Sequence, residues 1–172
     1  MKLAVFTKSL MLFYAPKRYF REVISSQEFT NKTLAMYGIL IFSVITVLLV
    51  TQLSFSGFYL VACAFGCFVG LVATLIVRSY FIDVSLRKME IEIKFKQIAS
   101  VVLFSFIINI YVILIGLLFG YDFLILSSVC NNILILIGIH SLTKINVYPL
   151  FGIGLLLFLL EYVLVAVFIS LL

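Results

Sequence analysis

Five long apolar runs dominate this sequence and limit its fold to one that a lipid bilayer can hold. Each run has roughly the 20 predominantly apolar residues that a membrane-spanning helix needs. Because lipid offers no hydrogen-bond partner to backbone amides, each run is predicted to be helical. The fourth run is the weakest, since it is short and contains Asn131 and Asn132. The predicted spans are 34–53, 58–77, 97–119, 123–139 and 150–172.

The composition supports a membrane protein. Hydrophobic residues make up 65% of the chain and charged residues 11%, whereas soluble domains have about 45–50% and about 25%. A length of 172 residues allows one compact bundle and no second domain. We therefore expect an all-α, integral membrane five-helix bundle, with residues 34–172 as the five-span transmembrane domain. The three cysteines lie within apolar runs, which favours packing over disulfide bonds.

Every Lys and Arg residue falls on one side of these predicted spans. Six of the 12 precede the first span, five lie in the link 78–96, and Lys144 follows the fourth span. Arg78 opens that link, which we expect to extend the second helix and lead into the third. The links 54–57 and 120–122 and the C-terminus have none. Because Lys and Arg in short loops stay cytoplasmic, the pattern predicts a cytoplasmic N-terminus and a C-terminus on the opposite side.

Residues 1–33 are predicted to form amphipathic interfacial helices at the cytoplasmic surface. After Pro16, apolar residues recur at helical spacing and basic residues lie around them. A net charge of +5 is compatible with nucleic-acid binding. Because the basic residues lie beside apolar spans, however, we expect the partner to be a bilayer with anionic headgroups and not a nucleic acid. An acidic protein partner at this face is the alternative. The predicted lipid- or partner-binding residues are Lys17, Arg18, Phe20 and Arg21.

The second predicted span carries a row of small residues. Residues four apart share one helix face, and small side chains on that face let another helix approach closely. We expect this row to pack against a helix of the same chain. The alternative is the seam of a homo-oligomer. The row consists of Ala62, Gly66, Gly70 and Thr74.

Glu161 is the one acidic or basic side chain well inside a predicted span. An acid there costs about 2.5–3.5 kcal/mol on insertion scales, so it is expected to face protein or water. Two interpretations remain, a proton or cation site and a structural polar cluster. No basic residue lies within a predicted span to neutralise it. We expect Glu161 to contact at least one of three intramembrane asparagines, which are Asn109, Asn131 and Asn132.

The sequence has no motif that indicates an enzyme, a metal site or a bound cofactor. His140 is the single histidine, and a metal site needs several converging ligands. A phosphate-binding loop, a zinc motif and a nucleophile beside a base are all missing. We therefore expect a non-enzymatic protein that holds no metal and no cofactor.

Three stretches resemble the Yip family, small five-span membrane proteins named for interaction with Ypt/Rab GTPases. They are similar to the family's entry segment before the first span, its junction into the third span and its segment after the fourth. Unlike many members, this chain has no proline after Ser105. The resemblance implies a cytoplasmic N-terminus and a membrane-organising or adaptor role. The alternative is a small transporter or channel, or a subunit of one, that uses Glu161. The stretches are Pro16–Ile24, Phe95–Ser100 and Ile137–Lys144.

Overall fold

The computed structural model describes residues 8–25, 31–50, 58–119 and 124–170. These residues form helices and short connections, with no strand among them, as the sequence predicts. In chain order the elements are α1 Met11–Tyr14, α2 Pro16–Phe20, a π-helical turn Arg21–Ser25, α3 Asn31–Val50, α4 Phe58–Lys88, α5 Phe95–Ser105, α6 Ile107–Phe119, α7 Leu124–Thr143 and α8 Val147–Ser170.

Three helical stretches are long and apolar enough to cross a membrane. Within the described residues they are Val61–Lys88, Phe95–Gly116 and Leu126–Thr143. Two further apolar stretches, Leu34–Leu48 and Tyr148–Val163, are shorter. The all-helical, membrane-compatible fold is therefore confirmed, and the count of five spans stays a prediction.

Helix α4 extends well past the predicted end of the second span and closes with a regular cap. The N–H of Glu90 donates to the carbonyl of Arg87, and the N–H of Ile91 donates to that of Leu86, both at 3.0 Å. This is the hydrogen-bond pattern of a Schellman cap, and Glu90 has the left-handed φ of 59° that such caps require. Arg78 therefore lies inside a helix, in the extension of the second span that the sequence predicts.

A break at Phe106 divides the predicted third span into α5 and α6. The N–H of Phe106 donates to the carbonyl of Leu103 at 3.2 Å, three residues back rather than four. Ser105 Oγ donates to the carbonyl of Val102 at 2.7 Å, a local bond that competes with regular helix geometry. Residues 98–105 of α5 are all buried, so the break lies in the core of the bundle.

In the N-terminal segment (residues 8–25), the apolar stripe after Pro16 packs into the bundle, whereas Leu10 and Phe13 before it are 60% and 51% exposed. Tyr19, Phe20, Val23 and Ile24 are at most 3% exposed. Helix α2 and the π-helical turn contact α7, and the turn also contacts α5. The prediction that Phe20 binds lipid or a partner is therefore wrong. An amphipathic pattern cannot distinguish a protein surface from a lipid surface, because both are apolar.

Two close contacts hold this segment in place. On α7, a Cβ added at Gly138 would lie 2.5 Å from Val101 Cγ1 and 3.2 Å from the ring of Phe20. On α6, the hydroxyl of Tyr111 lies 2.5 Å from Ser9 Oγ. The absence of a side chain at Gly138 therefore lets the aromatic ring reach the helix backbone.

The row of small residues on α4 does not pack as the sequence predicts. Gly66 and Gly70 are exposed, and a Cβ added at either glycine would meet nothing within 4 Å. Ala62 is also exposed, and Thr74 is half-buried with its Oγ1 donating to the carbonyl of Gly70 at 2.8 Å. Packing within this chain is therefore wrong at both glycines, and the homo-oligomer seam stays untested.

Candidate functional site at a buried ion pair

Glu161 on α8 is paired with Arg78 on α4. Glu161 Oε1 lies 2.5 Å from the Arg78 guanidinium. The Arg78 side chain is 1% exposed and the Glu161 side chain is 23% exposed. Ten residues separate Arg78 from the end of α4, about 15 Å at the rise of an α-helix. Fourteen separate Glu161 from the start of α8, about 21 Å. The prediction that no basic residue neutralises Glu161 is wrong, because Arg78 directly follows the predicted second span and pairs with the carboxylate.

The second carboxylate oxygen of Glu161 is held by α7. Ser128 Oγ donates a short hydrogen bond to Oε2, and Asn132 Nδ2 donates to the same oxygen at 2.9 Å. Ser128 and Asn132 are four residues apart and so share a helix face. The contact that the sequence predicts between Glu161 and an intramembrane asparagine is present at Asn132.

The guanidinium of Arg78 is held on its other side by Asn131. The Asn131 amide is oriented by its hydrogen-bond network, so that Oδ1 accepts from Arg78 at 2.7 Å. Its Nδ2 then donates to Ser105, at 2.8 Å to Oγ and 3.2 Å to the carbonyl. The guanidinium carbon also lies 5.7 Å from the centroid of the Phe106 ring, within the range of a cation–π contact. The break between α5 and α6 thus borders the arginine.

These contacts define a polar cluster that joins α4, α5, α7 and α8. Asn109 lies beside it and not in it, because its Oδ1 accepts from Ser127 Oγ at 2.8 Å. The sequence missed three members, Arg78, Ser105 and Ser128. One signal could have found Arg78, since a buried carboxylate needs an opposite charge and Arg78 directly follows an apolar run. The members of the polar cluster are Arg78, Ser105, Ser128, Asn131, Asn132 and Glu161.

Basic residues of the N-terminal segment form a second charged region at the surface. Lys17, Arg18 and Arg21 are exposed, as the sequence predicts. Glu22 pairs with Lys8 at 2.5 Å and with Arg18 at 2.6 Å. A hydrogen bond from Lys8, and after it one from Arg18, hold the pKa of Glu22 below its usual range. The hydrogen bond between Arg18 and Glu22 also raises the pKa of Arg18. We call Lys8, Lys17, Arg18 and Arg21 the basic face.

No metal-binding group is present in the described part of the chain. Three or more His, Cys, Asp or Glu side chains do not converge anywhere within it. His140 Nδ1 lies 2.8 Å from the carbonyl of Ile145, where it closes the end of α7. The polar cluster offers charge pairing and hydrogen bonding around Glu161.

Comparisons with known proteins do not assign a family. No family model matches the sequence. No curated protein matches it, and no solved structure matches it. The resemblance to the Yip family stays a prediction that rests on the residues alone.

Proposed function

We propose that this chain is a five-span integral membrane protein that organises the membrane or holds a partner protein at its cytoplasmic face. In this proposal it catalyses no reaction. Its N-terminus lies in the cytoplasm and its C-terminus on the opposite side, as the positions of Lys and Arg favour. The role matches the one that the Yip resemblance implies.

The observation that supports this proposal is that the exposed basic face lies next to two buried aromatic side chains. Tyr19 and Phe20 are fully buried, while the neighbouring Lys17, Arg18 and Arg21 are exposed. Anchoring restricts the motion of the basic residues, so less entropy is lost when they bind. Basic residues near an anionic membrane surface contribute about 1 kcal/mol each. A fixed cluster of them therefore favours anionic headgroups or an acidic protein surface.

The polar cluster has a structural role in this proposal. Both Glu161 oxygens and both terminal nitrogens of Arg78 have partners. A buried pair with such complete partners keeps the four helices in one arrangement, whereas an unpaired buried charge is strongly destabilising. The bundle thereby becomes a rigid support for the basic face.

Lipid retention by the full-length protein tests the proposal. The purified protein is equilibrated in micelles containing phosphatidylcholine and phosphatidylglycerol, and the lipids retained are measured by native mass spectrometry. We expect phosphatidylglycerol to be enriched, and Lys17→Gln with Arg21→Gln to reduce the enrichment roughly tenfold or more, from about 1 kcal/mol per residue.

The matched control carries Lys94→Gln and Lys96→Gln, which remove two exposed charges on the predicted cytoplasmic side. This variant is expected to lose less of the enrichment than the Lys17 and Arg21 variant does. Equal losses in both variants would contradict a specific role for the basic face. Crosslinking and affinity purification from native membranes would then test the protein-partner form, with loss of the partner expected in the Lys17 and Arg21 variant alone.

A further inference from the structure

Two buried oxygens next to the ion pair have no hydrogen-bond partner within the described residues. They are Oδ1 of Asn132, a residue that also bonds Glu161, and Oγ of Ser79, the residue after Arg78. Asn132 is 6% exposed and Ser79 is 1% exposed. Buried polar atoms of this kind are normally satisfied by water. One residue that bonds the ion pair and one that follows it in the chain therefore carry groups suited to hold water.

A row of polar side chains leads from Ser79 to the end of α4. Ser79, Asp83 and Arg87 are spaced four residues apart, which places them on one face of the helix. Their exposure rises along the row, because Ser79 is buried and the side chains of Asp83 and Arg87 are 10% and 70% exposed. Arg87 Nε bonds Asp83 Oδ2 at 2.9 Å. The row leads from the buried hydroxyl of Ser79, the residue after Arg78, to the surface at the α4–α5 link.

Polar groups also continue on the other side of Glu161. Ser128 bonds the carboxylate, and the adjacent Ser127 bonds Asn109 on α6. Ser127 and Ser128 lie in the first two turns of α7, which begins at Leu124. Charged and hydroxyl-bearing side chains therefore extend in both directions from the ion pair.

We propose that these groups form a proton pathway and that Glu161 is its central proton-binding residue. A proton enters from water along Asp83 and Ser79 and is taken up by the Glu161 carboxylate, which becomes a neutral acid. The same proton then leaves through Ser128 toward Ser127, so each uptake is balanced by one release. Carboxyl groups within membranes commonly serve as such relays.

Arg78 sets the resting state of this pathway. Among the described residues it is the charged group that faces Glu161, since α7 contributes the uncharged Ser128 and Asn132. In the resting state its guanidinium pairs with Oε1 of the carboxylate. While Glu161 carries the proton, Asn131 and the Phe106 ring still hold the guanidinium. The pathway is independent of the basic face and goes beyond the proposed function.

Proton flux into liposomes tests this inference. The full-length protein is reconstituted with a trapped pH-sensitive dye, and a potassium diffusion potential drives protons inward. We expect faster acidification than in protein-free liposomes, and at least a tenfold loss of that rate in Glu161→Gln. The control is Glu92→Gln, which neutralises an exposed acid in the α4–α5 link and is expected to keep the parental rate.

Two further variants separate loss of conduction from loss of folding. Ser79→Ala removes a buried hydroxyl that has no partner in the described structure, and Asp83→Asn keeps the size of its side chain. Both leave the ion pair intact, and we expect both to fold as the parent and to conduct several-fold more slowly. A parent no faster than protein-free liposomes, or a Glu161→Gln variant with the parental rate, would overturn the pathway. Lipid retention measured on the same preparations reports separately on the proposed function.

Discussion

Two sets of ion pairs in the described part of the molecule use the same chemistry in opposite surroundings. Arg78 and Glu161 meet in the core of the bundle at 2.5 Å, with the arginine almost completely buried. Arg18 and Glu22 meet at 2.6 Å on the surface, where their side chains are 73% and 30% exposed. The distances are nearly equal, so distance alone does not indicate what either pair contributes.

Surroundings decide the contribution of each pair. Water and salt screen a surface pair, and the ordering of two long side chains offsets much of the attraction. A buried pair has lost its hydration, so every remaining hydrogen bond must come from protein. The core pair accordingly has Asn131, Ser128 and Asn132 around it. The N-terminal segment, in contrast, is held mainly by apolar packing beneath its charges.

The largest effect is expected on breaking the core pair. Arg78→Gln leaves Glu161 without its opposite charge, and the loss of one partner of a buried pair destabilises by about 3–5 kcal/mol. The double variant Arg78→Gln with Glu161→Gln removes both charges and should recover most of this loss. Thermal unfolding in detergent, followed by helical circular dichroism, compares these two variants with the parent. Equal destabilisation of the single and double variants would show that charge pairing is not what the cluster contributes.

Packing beneath the N-terminal segment is tested at Gly138. In Gly138→Ala the new Cβ meets the stiff Val101 side chain at 2.5 Å and the Phe20 ring at 3.2 Å. Overpacking of this kind costs about 1–3 kcal/mol, so the melting temperature should fall. Gly66→Ala is the matched control, because its Cβ meets nothing within 4 Å. Replacing glycine by alanine within a helix stabilises by about 0.5–1 kcal/mol.

These two glycine variants should therefore shift the melting temperature in opposite directions. A Gly138→Ala variant as stable as Gly66→Ala would mean that the segment is not seated against α7. Such a result would favour the interpretation from the sequence alone, in which the basic residues lie on an interfacial helix at the cytoplasmic surface.

Structural features that depend only on local composition can be predicted from the sequence. Apolar runs indicate helices because bilayer and core impose the same need for internal hydrogen bonds. The desolvation of a lone acid indicated that Glu161 would find a polar partner, and Asn132 is one. Both inferences need only the residue and the polarity of its surroundings.

The sequence could not predict features that depend on which surfaces meet. Counting charges places Arg78 at the cytoplasmic end of a span, yet its guanidinium pairs with Glu161 on α8. The stripe containing Phe20 was interpreted as lipid-facing, although α7 covers it. In both cases the deciding partner lies far away in the chain, and periodicity carries no information about it.

The smallest effect is expected at the surface pairs centred on Glu22. Lys8 and Arg18 hold the folded pKa of Glu22 below its usual range, so the pairing favours the folded state above the unfolded pKa of about 4.3. This contribution is lost as the pH falls through the lowered folded pKa. Because both partners are exposed, Glu22→Gln should lower the melting temperature only slightly at pH 7, and by less in high salt. At a pH below the folded pKa the variant and the parent should melt together. A difference at pH 7 as large as that of Arg78→Gln, or one that high salt leaves unchanged, would mean that burial does not distinguish the two sets of pairs.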